Sequence, residues 1–139
     1  MNRVVLLLVE DNIDDLALIM RALKRSDMAP EIVVARDGVE ALAYLHEEER
    51  ALPKFVLLDL NLPKMTGLEV LRRIREDPRT RHLPVVVLTS SQEDRDINTS
   101  YDLGASSYVR KPVRSERFAD AVRQLGAYWL QLNESVRGR

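Results

Sequence analysis

The sequence predicts a doubly wound α/β fold, a flavodoxin-like (βα)5 sandwich whose five parallel strands lie in the order 2-1-3-4-5. Three observations predict it. Short apolar runs alternate with segments of helical periodicity five times along the chain, and such alternation implies a parallel sheet covered on both faces by right-handed crossovers. The runs are continuous in Val, Leu and Phe, without polar alternation, as strands buried on both faces should be. The 139 residues suit one domain with a single sheet.

The first run, 4–9, is followed by a helical segment, 13–25, with Leu16, Ile19, Met20 and Leu23 at helical spacing. Residues 32–35 form a second strand. Asp37-Gly38-Val39-Glu40 then reads as a capped helix start, with Val39, Leu42 and Ala43 as the apolar face. Strand three is 55–58. Thr66-Gly67-Leu68-Glu69 is a capping box that opens a helix through about Arg75, and Asp77-Pro78 ends it. Strand four is 85–88. The helix expected over 92–101 contains Asp96-Ile97-Asn98-Thr99-Ser100, poor in helix formers and therefore easily remodelled. Strand five is 107–109, and Ser115 caps a last helix reaching about Leu132. A single domain over 1–139 is expected, with its core over about 4–125.

Composition excludes several classes of function. Net charge is −1, with 31% charged and 45% apolar residues, which lacks the basic excess of a nucleic-acid-binding domain. Without cysteine there is no disulfide framework and no thiolate chemistry. No apolar run approaches the ~20 residues of a membrane span, and the N-terminal stretch lacks the segment order of a signal peptide. A cytoplasmic protein is expected.

The chemistry collects at the C-terminal ends of the strands. Glu10-Asp11 follows strand one, Asp59 strand three, Thr89 strand four and Lys111 strand five. In the order 2-1-3-4-5, strands one and three are neighbours at the switch point, where ligands bind in open α/β sheets. Three carboxylates crowded there repel one another. A hard divalent cation relieves the repulsion, and Mg2+ takes oxygen ligands while keeping waters and a substrate phosphate. Asp11 and Asp59 are expected to ligate directly, Glu10 through water, and Asn61 through its backbone carbonyl. Asp59 is the expected nucleophile, attacking phosphorus to give an acyl phosphate. Lys111 supplies a positive charge to one phosphoryl oxygen and the Thr89 hydroxyl a hydrogen bond to another. Asn61 and Ser91 border the path of an attacking water without offering a general base, so self-dephosphorylation should be modest. The chain is expected to be a phosphoryl acceptor and not an enzyme with a turnover substrate.

Glu10-Asp11, Asp59 with Asn61 and Pro63, Thr89, Tyr108 and Lys111-Pro112 resemble the receiver domain of two-component response regulators, in the same order and spacing over nearly the whole chain. The resemblance implies phosphorylation of Asp59 by a sensor histidine kinase and a conformational switch. It makes Tyr108 a switch residue that turns inward as Thr89 moves toward the phosphoryl group. It also implies a cis peptide before Pro112, which the weak trans preference of X-Pro bonds allows. Leu60-Asn61-Leu62-Pro63-Lys64, the segment 85–91, Ser100-Tyr101-Asp102-Leu103 and Tyr128-Trp129-Leu130 resemble single-domain regulators that partner phytochrome-type kinases in bacteria. Lys111-Pro112 is a departure, since some of those relatives lack the proline. No output domain is visible after Lys111-Pro112, so action by docking to an unidentified target is expected.

Plainer readings stand beside these. Acidic residues after strands often only cap helices, and Tyr108 fits a half-buried strand aromatic. His46 and His82 read as surface histidines, and a single exposed Leu18 needs no partner to explain it. In the last helix Phe118, Val122, Leu125, Trp129 and Leu132 form one apolar stripe. Tyr128, Trp129 and Leu130 suggest an overhanging self-association surface, hence a homodimer, and Gly126 permits close approach or a bend. Alternative functions are an interaction-only pseudo-receiver and a Mg2+-dependent aspartate-nucleophile phosphatase. The phosphatase normally has a second acid two residues after its nucleophile, where this chain has Asn61. A flavin carrier would need a Gly-rich phosphate cradle in place of the acidic loop after strand one.

Overall fold

The computed structural model describes residues 4–25, 30–90, 93–111 and 116–135. Five strands, β1 (Val5–Val9), β2 (Glu31–Ala35), β3 (Phe55–Leu58), β4 (Val85–Thr89) and β5 (Ser107–Arg110), alternate with α1 (Ile13–Lys24), α2 (Gly38–Leu45), α3 (Gly67–Glu76), α4 (Asp94–Asp102) and α5 (Glu116–Ala127). All strand pairings are parallel, and the sheet order is β2-β1-β3-β4-β5. This is the predicted flavodoxin-like topology.

The period-two geometry of strands divides the apolar runs between two cores. Leu6, Leu8, Phe55, Leu57, Val86 and Leu88 face one side, where Leu16, Ile19 and Leu23 of α1 and Phe118 and Val122 of α5 cover them. Leu7, Val9, Val56, Leu58 and Val85 face the other, under Ala41, Leu42 and Leu45 of α2 and Val70, Leu71 and Ile74 of α3. Every residue of the central strands β3 and β4 is buried, whereas the edge strands β2 and β5 are only partly so. Burying each such Val or Leu side chain contributes roughly 1.5–3 kcal/mol, so the three central strands form a stiff platform for the residues at their ends.

Local capping follows the sequence. The side chains of Asn12, Asp37 and Thr66 accept hydrogen bonds from the backbone N–H of Asp15, Glu40 and Glu69 at 2.9, 2.8 and 3.2 Å, satisfying donors that the first helical turn leaves orphaned. Only half of the capping box at Thr66 is present, because Glu69 turns along the helix to Arg72 and Arg73. Asp77 is extended before Pro78 and ends α3. Arg75 ties that end to the turn after α4, its Nε and Nη2 donating to the Gly104 carbonyl at 2.9 and 2.7 Å.

Two helix faces differ from expectation. In α2 the buried positions are Gly38, Ala41, Leu42 and Leu45, while Val39 and Ala43 are exposed; one helical step of rotation puts the smaller Gly38 against Val70 and Met65 of the α3 region. At the end of the last helix Leu130 is buried and Leu132 is 71% exposed, not the reverse. The cause is a π-helical turn over Tyr128–Leu132, in which the Asn133 N–H donates to the Tyr128 carbonyl at 2.7 Å. Widening the turn from the α to the π repeat rotates Leu132 off the apolar stripe. Trp129 does not overhang the sheet: its ring stacks on Phe55 with centroids 6.3 Å apart and meets Tyr128 edge-on at 4.8 Å. Gly126 permits close approach to α1, since a Cβ there would lie 3.1 Å from Leu23 Cδ2. The expected cis peptide before Pro112, and the expected roles of Ser91 and Ser115, fall outside the described residues.

Candidate functional site at the C-terminal edge of the sheet

Hydrogen bonds that continue the sheet one residue beyond its strands fix the backbone of the site. Glu10 N–H donates to the Ala35 carbonyl at 3.0 Å, Asp59 N–H to that of Val9 at 3.0 Å, and Lys111 N–H to that of Thr89 at 2.8 Å. Because Val9 pairs with Leu58, Glu10 and Asp59 leave adjacent strands side by side. Behind Asp59 the chain turns sharply, with Lys64 at a φ of 68° and the Gly67 N–H donating to the Leu60 carbonyl at 2.9 Å. A Cβ on Gly67 would sit 2.3 Å from the Asp59 carbonyl oxygen. Only glycine lets the start of α3 approach this closely.

At the centre lies the Lys111 ammonium, its side chain 3% exposed. Nζ donates to Glu10 Oε1, to Asp15 Oδ2 at 2.8 Å and to Asp59 Oδ2 at 3.2 Å. All three N–H donors thus have a carboxylate partner, and all three carboxylates are buried. The remaining oxygens are also engaged. Glu10 Oε2 accepts from the N–H groups of Asp11 and Asn12 at 3.1 and 3.2 Å, and Asp59 Oδ1 accepts from Asn61 N–H at 3.2 Å.

Three carboxylates around one ammonium leave an excess of negative charge in a buried place. Burial pushes the Glu10 carboxyl up to about 7; the Lys111 hydrogen bond opposes the rise and Asp59 adds to it. For Lys111, burial favours the neutral amine, but its hydrogen bonds to Asp15 and Glu10 and the charges of Asp59 and Glu10 outweigh it and raise its pKa. Lys111 therefore stays protonated, while Glu10 is the acid that gives way.

The predicted residues are not equally close to this centre. Glu10, Asp59 and Lys111 meet directly. Thr89 is fully buried at the end of β4, and half-buried Tyr108 pairs with Val87 one strand over. Asp11 is exposed and turned toward Arg36, whose guanidinium donates to the Asp11 carbonyl at 3.0 Å and lies 3.8 Å from Oδ1. Tyr128 is 47% exposed, whereas Leu130, at 5%, belongs to the molecule's own core.

Asp15 is the residue the sequence reading missed. Its signal was present: Asp15, Ile19 and Leu23 recur at helical spacing, so a carboxylate occupies the inward stripe of α1 one turn after the acidic pair.

The donor set suits a hard divalent cation. Carboxylates from two adjacent strand ends face one another, and the place between them already holds the positive charge of Lys111. Among the described residues no three carboxylates or histidines converge as they stand on a metal-binding point, and Asp11 is turned to Arg36.

Comparison with known proteins supplies a context. The family described as response regulator receiver domain matches residues 6–123. The "Probable methanogenesis regulatory protein FilR2" of Methanothrix harundinacea is 45% identical over 134 residues, 94% of this chain and 86% of that protein. Response regulator Rcp1 of Synechocystis sp. is 38% identical over 91% of this chain and 89% of its own length. The crystal structure of its Mn(2+)-bound form superposes with a TM-score of 0.88, covering 95% of this chain and 98% of that one at 37% identity. The phosphorylated cyanobacterial phytochrome response regulator RcpA superposes with a TM-score of 0.90 at 39% identity, covering 96% and 99% of the two chains.

Proposed function

The chain belongs to the response regulator receiver domain family, and on that footing we propose that it accepts a phosphoryl group on Asp59 from a sensor histidine kinase. The observation that carries the reading is the Lys111 ammonium held against Asp59 and Glu10 at the ends of adjacent central strands. An Asp59 oxygen attacks phosphorus as the bond from phosphorus to the donor breaks. Asp59 Oδ1 is fixed by Asn61 N–H, which leaves Oδ2, on the lysine side, to form the new bond. As charge moves onto the phosphoryl oxygens, Lys111 transfers its third N–H to one of them, and Thr89 donates to another.

Mg2+ is the proposed cofactor, held by Asp11, Asp59, the Asn61 carbonyl and, through water, Glu10. When bound it supplies charge neutralisation for the carboxylates and the incoming phosphoryl oxygens. The Mn(2+)-bound relative Rcp1 supports a divalent site of this kind. For Asp11 to join, its side chain must leave Arg36, an exposed pair whose loss costs little.

The proposed readout couples Thr89 to Tyr108 across the β4–β5 edge, with slow autodephosphorylation because the Asn61 side chain, on the expected path of the attacking water, offers no general base. RcpA is described as a phytochrome response regulator, which supports a phytochrome-type kinase as partner; the downstream target is a second protein, and the setting is the cytoplasm. Homodimerisation is proposed through the C-terminal turn, where Tyr128 and Leu132 are exposed. Light scattering that gave a monomer with and without phosphorylation would end the dimer proposal. The acceptor proposal is tested by incubating the protein with an autophosphorylated phytochrome-type kinase and mapping the label. Label on the Asp59 peptide is expected; label on another residue contradicts the assignment.

A further inference from the structure

Asp15 has no part in the transfer proposed above, yet its carboxylate makes a short, buried contact with the central ammonium. We propose that Asp15 is a positioning residue for phosphoryl transfer, one that shares the charge of Lys111 and so keeps Asp59 available as the nucleophile. The inference rests on the acceptor reading of Asp59.

The geometry is specific. Lys111 Nζ lies 2.8 Å from Asp15 Oδ2 but 3.2 Å from Asp59 Oδ2, so the ammonium leans toward the helix and away from the nucleophile. Asp15 is 6% exposed, and its backbone N–H is held by the Asn12 side chain at 2.9 Å. Asp15 therefore stands on the rigid first turn of α1, while Lys111 reaches the site on a flexible stem. A lysine with only Glu10 and Asp59 as partners would settle onto Asp59 and neutralise the oxygen that must attack. With Asp15 present, the ammonium keeps its longer contact, 3.2 Å, for the nucleophile. The two anchors Glu10 and Asp15 hold two of its N–H groups, and the third, on Asp59 Oδ2 at 3.2 Å, passes to a phosphoryl oxygen on transfer. Charge-assisted hydrogen bonds between buried groups are strong enough to set such a position.

The test is a double-mutant cycle on the full chain, with acetyl phosphate and Mg2+ as probe. In that reaction an Asp59 oxygen–phosphorus bond forms, the phosphorus–oxygen bond to acetyl breaks, and acetate leaves. Initial rates of phosphoryl gain are read by intact mass for wild type, Asp15→Asn, Lys111→Met and the double variant. Asp15→Asn is expected to slow transfer about tenfold, the loss of one charge-assisted hydrogen bond, and to have no further effect where Lys111 is already Met. An equal slowing in both backgrounds would overturn the proposal, since it would mean that Asp15 acts through the fold and not through the lysine. An unchanged rate in Asp15→Asn would overturn it as well. Asp15→Ser, read in the same cycle, decides the matter if Asp15→Asn does not fold. Absence of phosphoryl gain in the wild type would instead count against the acceptor reading itself.

Discussion

At the scale of single residues, the site is a balance between one ammonium and three buried carboxylates, and Glu10 carries its pH dependence. The folded state raises the Glu10 carboxyl from 4.5 to about 7, burial being the main cause. Between those values the folded protein binds a proton that the unfolded chain has released. Its stability therefore falls as pH rises through that window. In chelator, the urea midpoint of the wild type should decrease from about pH 5 to about pH 7.5, and Glu10→Gln should flatten that decrease. A decrease of the same steepness in Glu10→Gln would remove Glu10 as its source. Bound Mg2+ should offset the loss most at the upper end, where Glu10 is ionised.

At the scale of elements, the close approach of α3 to β3 positions Asp59. The helix begins at Gly67 against the backbone of Asp59 and Leu60, a distance that admits no side chain. Gly67→Ala must push the helix or the nucleophile's backbone aside, at a cost of roughly 1–3 kcal/mol. The urea midpoint should fall accordingly, and phosphoryl gain should slow because Asp59 moves. A variant with wild-type stability and rate would show that the approach is not a constraint. This contact also marks what the sequence made legible. The capping residues Asp37 and Thr66 and the strand ends were readable because each depends on a few neighbouring residues. The face of α2 was not, since choosing Ala41 over Ala43 depends on the α3 region packing against it. The π-turn at Tyr128–Leu132 was hidden for a similar reason: its register follows from Trp129 seating on Phe55, a contact between distant parts of the chain. Asp15 was legible in principle as a carboxylate on an apolar stripe, but its partner Lys111 lies 96 residues away.

At the scale of the whole molecule, the sheet turns separated strand ends into one reactive edge. Two cores clamp the three central strands from both sides, so the backbones of Glu10, Asp59 and Thr89 are held in a fixed relation to one another. The edge strand β5, which carries Tyr108 and leads into Lys111, is only partly buried, so the element proposed to report the phosphoryl group lies on the less constrained side of the sheet. The helix beside it, α4, lacks a side-chain N-cap, in keeping with an element that is remodelled easily.

The measurement that bears most directly on this account is intact-protein mass after incubation with acetyl phosphate, with and without Mg2+, for wild type and Asp59→Asn. A gain of one phosphoryl group that requires Mg2+ and is lost in the variant is expected. No gain in folded wild-type protein, or an equal gain in Asp59→Asn, would contradict it.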